Sequence, residues 1–184
     1  MNRRALICAS LVALIASCAP APKSDTPVIG AKAAPSVYYL VRHAEKDLSE
    51  TANKKDPVLT PAGKDRAKAL SKRLSKLSID GIYSTDYART RDTAMPLSRA
   101  TNVPLTLYDA SDLASFAAQM KDKNGTFVIV GHSNTTPQLA ELLGGEAGEP
   151  IVEMGENDRL YILREGERGT IDTTISRYGK PSKY

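Results

Sequence analysis

The chain contains only two histidines, and each stands at the end of a run that reads as a β-strand. Val37 to Val41 leads into Arg42-His43, and the β-branched run Thr126 to Val130 leads into Gly131-His132-Ser133-Asn134. Between them, Gly81 to Ser84 opens onto Thr85-Asp86-Tyr87-Ala88-Arg89-Thr90. Taken singly, a histidine after a strand is more often a structural residue, and an arginine a solvated charge. Both histidines together with Arg42 and Arg89 at strand ends instead point to one anion-binding rim, because ligands of α/β sheets gather at the carboxyl ends of strands.

Phosphate is an anion that such a set can both hold and attack. Arginine presents planar paired donors matched to phosphate oxygens and stays charged, so Arg42 and Arg89 can grip the dianion. A neutral imidazole can attack phosphorus while a second histidine stabilises the equatorial oxygens. Ser133 and Asn134 can add donors at the start of a helix, although helix capping alone accounts for that pair. The cationic side chains supply the charge neutralisation that a divalent ion provides elsewhere, so no metal and no other cofactor is called for.

These residues need a sheet to bring them together, and the pattern between them alternates strand with helix. Thr60-Pro61 is an N-cap residue followed by proline at the first helical position. The helix it opens carries Ala67, Leu70, Leu74 and Leu77 at helical spacing among basic residues. Further helices are expected from Asp86 to about Arg99, from a Ser111 cap through Met120, and from Thr136-Pro137 to Gly144-Gly145. Strands are expected at Val103 to Tyr108 and near Arg159 to Leu163 and Gly169 to Arg177. The alternation predicts an α/β fold, a three-layer α/β/α sandwich with a largely parallel central sheet.

Composition narrows the alternatives. The chain is 184 residues long, 41% apolar and 25% charged, which fits one globular domain. Its net charge of +4 comes with no basic run or aromatic interleaving, which argues against nucleic acid as a partner. Residues 1–17 read as a signal peptide: Arg3 and Arg4 form a basic n-region, and Ala5 to Ala16 an apolar h-region that is short for a membrane span. The run closes on Ile15-Ala16-Ser17-Cys18, which resembles a bacterial lipobox with Cys18 as the lipidated residue; an ordinary signal-peptide cleavage nearby is the other reading. Processing removes two arginines, lowers the net charge to +2 and leaves one cysteine, too few for a disulfide framework or, with two histidines, a His/Cys zinc site. Residues 18–35 read as a Pro/Ala-rich tether and residues 36–184 as the folded domain. The expected location is therefore the bacterial cell envelope, with the membrane reached through a lipid anchor.

Four segments together resemble the histidine phosphatase superfamily, the phosphoglycerate mutase-like proteins. They are Val41-Arg42-His43-Ala44-Glu45-Lys46, Leu59-Thr60-Pro61-Ala62-Gly63, Tyr83 to Thr93 with its Arg89-Thr90-Arg91-Asp92-Thr93, and Val130-Gly131-His132-Ser133-Asn134. The resemblance implies that His43 attacks the phosphoryl group and becomes a phosphohistidine that water hydrolyses. It places Arg42, Arg89 and His132 in the phosphate pocket, with Ser133 beside them. It also calls for an acid after the strand that follows the second Arg helix, here Asp109, for which a turn or cap role before Ser111 is the alternative. Two positions depart from the pattern. Ala44 replaces the usual glycine, which matters if the backbone there needs positive φ. The following loop offers Glu45, Lys46, Ser49 and Thr51 where the family often has Asn or Thr.

The resemblance thus implies a metal-independent phosphatase acting on a phosphorylated small molecule, a lipid head group or a phosphoprotein. A catalytically silent envelope phosphate-binding module and a phosphomutase are the other readings. The short interval from His43 to Thr60 predicts an open site, which disfavours a mutase. The acids Glu146, Glu149, Glu153, Glu156 and Asp158 would bias against polyanions if they border the pocket, and are otherwise a solvated loop.

Overall fold

The structure is a computed structural model and describes residues 35–183. The expected signal peptide, the lipidation site Cys18 and nearly all of the tether lie outside the described residues.

Ten main elements follow in the order β1 (Val37–Arg42), α1 (Pro61–Leu74), β2 (Gly81–Ser84), α2 (Ala88–Thr101), β3 (Leu105–Leu107), α3 (Leu113–Lys121), β4 (Thr126–Gly131), α4 (Thr135–Leu142), β5 (Arg159–Glu165) and β6 (Ile171–Arg177). The strands form one sheet in the order β3-β2-β4-β1-β5-β6. The first four in that order pair in parallel, and β5 and β6 extend the sheet as an antiparallel hairpin. The three-layer sandwich with a largely parallel sheet is therefore observed.

Strand periodicity sorts the core into two faces. Tyr38, Leu40, Phe127 and Ile129 point to one side, where Leu113, Phe116 and Met120 of α3 and Leu139 and Ala140 of α4 cover them. Tyr39, Val41, Val128 and Val130 point to the other, against Leu70 and Leu74 of α1 and Ala94 and Leu97 of α2. β1 and β4 are neighbours, yet the chain leaves β1 for α1 on one face and leaves β4 for α4 on the other. Their carboxyl ends thus form a crevice at a topological switch point, where α/β sheets bind ligands.

Local chemistry explains most element boundaries. The Thr60 hydroxyl accepts from the Gly63 amide at 3.0 Å, and Pro61 occupies the first turn of α1 as expected. A Cβ on Gly63 would run into the Glu45 carbonyl, so the start of α1 lies directly on the loop after β1. α2 begins at Ala88 rather than Asp86. Its first amide is capped from a distance: Ala88 N donates to the Asp56 carboxylate at 2.8 Å. α3 is capped by Asp112, which accepts from the Ser115 amide, and not by Ser111, which turns back onto Asp109. α4 starts one residue earlier than expected, at Thr135.

Candidate active site

β1 and β4 run in register, with Arg42 paired to Gly131, so the next residue of each strand is a histidine. The His43 amide donates to the Gly131 carbonyl at 2.9 Å, extending the ladder by one step. The two rings meet edge to face with centroids 5.6 Å apart. Gly131 fits a crowded end of β4: a Cβ there would lie 2.9 Å from the Tyr108 hydroxyl and 3.0 Å from that of Thr136.

His43 is set up as a nucleophile. Its ring is almost fully buried and its Nδ1 lies 2.8 Å from the Ala44 carbonyl, an acceptor only, so Nδ1 carries the proton and Nε2 keeps its lone pair. Burial, followed by the charges of Arg42 and Arg89, pulls its pKa down to about 3, which keeps the imidazole neutral across the physiological range. Ala44 itself is buried, has no positive φ, and donates its amide to the Thr93 hydroxyl at 2.9 Å. The position that departs from the family glycine therefore needs no glycine here.

His132 is held from the neighbouring loop. Its Nε2 lies 3.0 Å from the Thr85 hydroxyl, which in turn bonds the Thr90 hydroxyl at 2.9 Å. Tyr87 stands edge-on against its ring at 5.4 Å. Burial, then Arg89 and Arg42, lowers the His132 pKa to about 4.

Both expected arginines reach the site, and each keeps its buried Nε donor unspent among the described residues. Nη1 of Arg42 donates to the carbonyls of Val152 and Glu156, and Nη2 to that of Glu153. The guanidinium of Arg89 lies over the Tyr87 ring at 4.3 Å and reaches Asp56 at 3.9 Å. The Nε atoms of Arg42 and Arg89 are buried and have no hydrogen-bond partner among the described residues. Two orphaned cationic donors beside a neutral imidazole form a receptor that an oxyanion would complete.

The acid-bearing segment that the sequence left either beside the pocket or in solvent reaches this rim. Residues 152–157 return to it: three of their carbonyls hold Arg42, and Asn157 Nδ2 donates to the His43 carbonyl at 2.9 Å. Arg42 and His43 are only 3% and 2% exposed, and this segment is packed against Arg42. Of the five acids flagged there, Glu153 borders the site. Its Oε1 lies 3.2 Å from Arg42 and 3.4 Å from Lys46, and its Oε2 accepts from Ser133. Ser133 is therefore engaged with a carboxylate rather than left free for phosphate. Glu156 and Asp158 are instead bound to Arg159 and Arg177.

Asp109 is fully exposed on the wall of a cavity of about 670 Å³ that it shares with Thr85, Tyr87 and Tyr108. Its carboxylate accepts from the amide and hydroxyl of Ser111 at 2.8 and 2.7 Å, which holds it below the usual carboxylate range. These bonds are those of a turn; the shared cavity is what connects Asp109 to the His132 side of the site. Among the described residues, no group of three or more His, Cys, Asp or Glu could hold a metal ion.

The fold and this pocket define a class of α/β protein with a histidine after each of two adjacent parallel strands, flanked by Arg42 at the end of β1 and Arg89 at the start of α2. Residues 38–114 match the family model described as "Histidine phosphatase superfamily (branch 1)". Over 73 residues the chain is 37% identical to phosphoserine phosphatase 1 of Hydrogenobacter thermophilus, a match that spans 38% of this chain and 35% of that protein. Among solved structures it is similar to the protein histidine phosphatase SixA complexed with tungstate, at 16% identity and a TM-score of 0.57, covering 77% of this chain and 95% of that one. It is also similar to mycobacterial glucosyl-3-phosphoglycerate phosphatase, at 15% identity and a TM-score of 0.59, covering 78% and 98%. At these identities the structural likeness establishes the fold. The family match covers less than half of the chain, and the structural likeness extends the same fold over about three quarters of it.

Proposed function

We propose that the protein is a metal-independent phosphatase that hydrolyses phosphate monoesters through a phosphohistidine on His43. The observation that carries this reading is the His43 ring: Nδ1 is committed to the Ala44 carbonyl and Nε2 is free, beside two buried arginine Nε donors without partners among the described residues. The Nε2 lone pair forms the N–P bond as the ester P–O bond breaks, and the leaving oxygen takes a proton. Water then attacks phosphorus, releases inorganic phosphate and restores the neutral ring. Arg42, Arg89 and His132 stabilise the equatorial oxygens in both steps.

Asp109 is the proposed proton donor, across the cavity it shares with Thr85 and Tyr87. Bound phosphate dianion would raise its carboxyl from its present low position and allow it to hold a proton. The named relatives act on phosphoserine, protein phosphohistidine and a sugar phosphoglycerate, which supports a phosphomonoester or phosphoprotein substrate without choosing one. The Ile15-Ala16-Ser17-Cys18 pattern supports export and lipid anchoring at Cys18, which would place the domain at the cell envelope.

Turnover of p-nitrophenyl phosphate by the purified full-length chain in EDTA tests the reaction. Release of p-nitrophenol that disappears in His43→Ala is expected. Equal rates for the two proteins would discard the enzyme reading in favour of a silent binding module, and phosphate transferred within a substrate rather than released would indicate a mutase. Incorporation of labelled fatty acid that is lost in Cys18→Ala tests the anchor.

A further inference from the structure

One charged group at the pocket is not explained by binding phosphate. Glu153 is an acid placed where an anion must enter, with 54% of its side chain exposed, between the buried Arg42 and the half-buried Lys46. Partial burial raises its carboxyl, but the Ser133 hydrogen bond, Arg42 and Lys46 outweigh that and keep it ionised. The cleft it lines holds Arg42, His43, Lys46 and the exposed Met154. Its hydrogen-bond partner Ser133 also lines a larger cavity of about 490 Å³ with Asn134, Gln138 and Ile151. Glu153 therefore stands at the junction between the phosphate pocket and the space open to the rest of a substrate.

The charges around it decide what that space accepts. Both histidines are neutral, so the cations facing the pocket are Arg42, Lys46 and Arg89. Against them stand Glu153 and, behind Arg89, Asp56, with Asp109 on the His132 side counted as protonated by the phosphatase reading. Glu45 is neutralised by Arg66. A phosphate dianion more than consumes the remaining positive charge, and once it draws on Arg42 the Glu153 carboxylate loses part of its compensation. A second anion on the leaving group would then meet an ionised carboxylate, whereas an ammonium would replace the cation that phosphate has taken.

We propose that Glu153 selects the leaving group by charge: the site takes phosphomonoesters whose alcohol carries an ammonium and discriminates against those carrying a further anion. This rests on the phosphatase reading and gives it a substrate class. Glu153 holds Arg42 Nη2 twice, through its backbone carbonyl at 2.8 Å and its side-chain Oε1 at 3.2 Å, and the backbone contact does not depend on the side chain. Side-chain substitutions leave that contact in place.

The test compares kcat/KM for phosphoethanolamine and phosphoglycolate, esters of similar size and opposite leaving-group charge, with n-propyl phosphate as the neutral reference. The wild-type chain is expected to prefer phosphoethanolamine. Glu153→Gln should lower the phosphoethanolamine-to-phosphoglycolate ratio about tenfold, equivalent to ~1.4 kcal/mol, while Glu153→Asp keeps it within about threefold. Taking the change in ratio cancels the intrinsic reactivity of each ester. An unchanged ratio in Glu153→Gln overturns the proposal, whether both rates rise, as for a carboxylate that merely competes with phosphate, or both fall, as for a structural contact. His43-dependent turnover of p-nitrophenyl phosphate, measured alongside, separates failure of the charge selection from failure of the phosphatase reading.

Discussion

The imidazoles of His43 and His132 lie 5.6 Å apart because Arg42 and Gly131, the residues before them, are partners in a parallel strand pair. The two rings are thereby set by backbone hydrogen bonds of the sheet rather than by loops. Each is then fixed by a different contact, His43 through the Ala44 carbonyl and His132 through the Thr85 hydroxyl. Such rigid placement is what a nucleophile and a transition-state donor sharing one phosphoryl group require.

The neutral state of the two histidines, His43 buried and His132 half-buried, predicts how stability responds to acid. Their folded pKa values, about 3 and about 4, lie below the ordinary value of 6.5. Between about pH 6.5 and 4 the unfolded chain therefore binds more protons than the folded one, and stability falls as pH falls. Each histidine contributes a slope of up to ~1.4 kcal/mol per pH unit in that window, less for the half-buried His132. Urea unfolding at pH 7.5, 6 and 5 should show the loss, and it should be smaller in His132→Gln. Equal losses in the variant and the wild type would mean that other groups govern the acid response.

Thr85 is a positioning residue whose hydroxyl joins His132 to Thr90. Thr85→Val keeps the shape and removes the hydrogen bond, which is worth about 0.5–1.5 kcal/mol. A drop of roughly threefold to tenfold in kcat is expected, with KM for p-nitrophenyl phosphate little changed and activity recovered in Thr85→Ser. A rise in KM alone would assign Thr85 to substrate binding instead.

How far this site could be read in advance depends on the range of the contacts that build it. β1 and β4 are legible because nearly all their residues are apolar or β-branched, and the start of α1 because Thr60-Pro61 carries its own cap. The pairing of the two histidines follows from these strands once they are neighbours. The start of α2 at Ala88 is not legible locally, since its cap, Asp56, lies 32 residues upstream. The cover over Arg42 is hidden for the same reason: its ligands are backbone carbonyls of Val152, Glu153 and Glu156, which leave no trace in side-chain chemistry. Asn157, which holds the His43 carbonyl from 114 residues away, carried no signal that would have singled it out.

Asp109 separates two roles by their dependence on the leaving group. A proton donor matters for an alkoxide and hardly at all for p-nitrophenolate, which departs without one. Asp109→Asn should lower kcat/KM for n-propyl phosphate by about 10²-fold and for p-nitrophenyl phosphate by less than threefold, read from initial rates on both esters. Equal, small effects on both would leave Asp109 as the residue that closes the turn onto Ser111.

The loop carrying the nucleophile is anchored two residues beyond it. Glu45 holds the buried Arg66 of α1 through Nε at 2.9 and 3.0 Å and through Nη2 at 2.6 Å. Arg66 also donates to the Tyr178 carbonyl at 3.0 Å, so one guanidinium ties the loop after β1, the helix α1 and the end of the sheet together. Glu45→Ala would leave a charge that is 5% exposed without its counter-ion. Breaking a fully buried pair in this way costs about 3–5 kcal/mol, and partial exposure of Glu45 should bring the loss to about 2 kcal/mol. Thermal unfolding should register that as a fall in Tm of about 4–8 °C for a domain of this size. Replacing the pair by Glu45→Leu with Arg66→Met should recover much of the loss, because neither charge is then stranded. If the double variant is no more stable than Glu45→Ala, the Arg66 contact with Tyr178, rather than the ion pair, is what holds the loop.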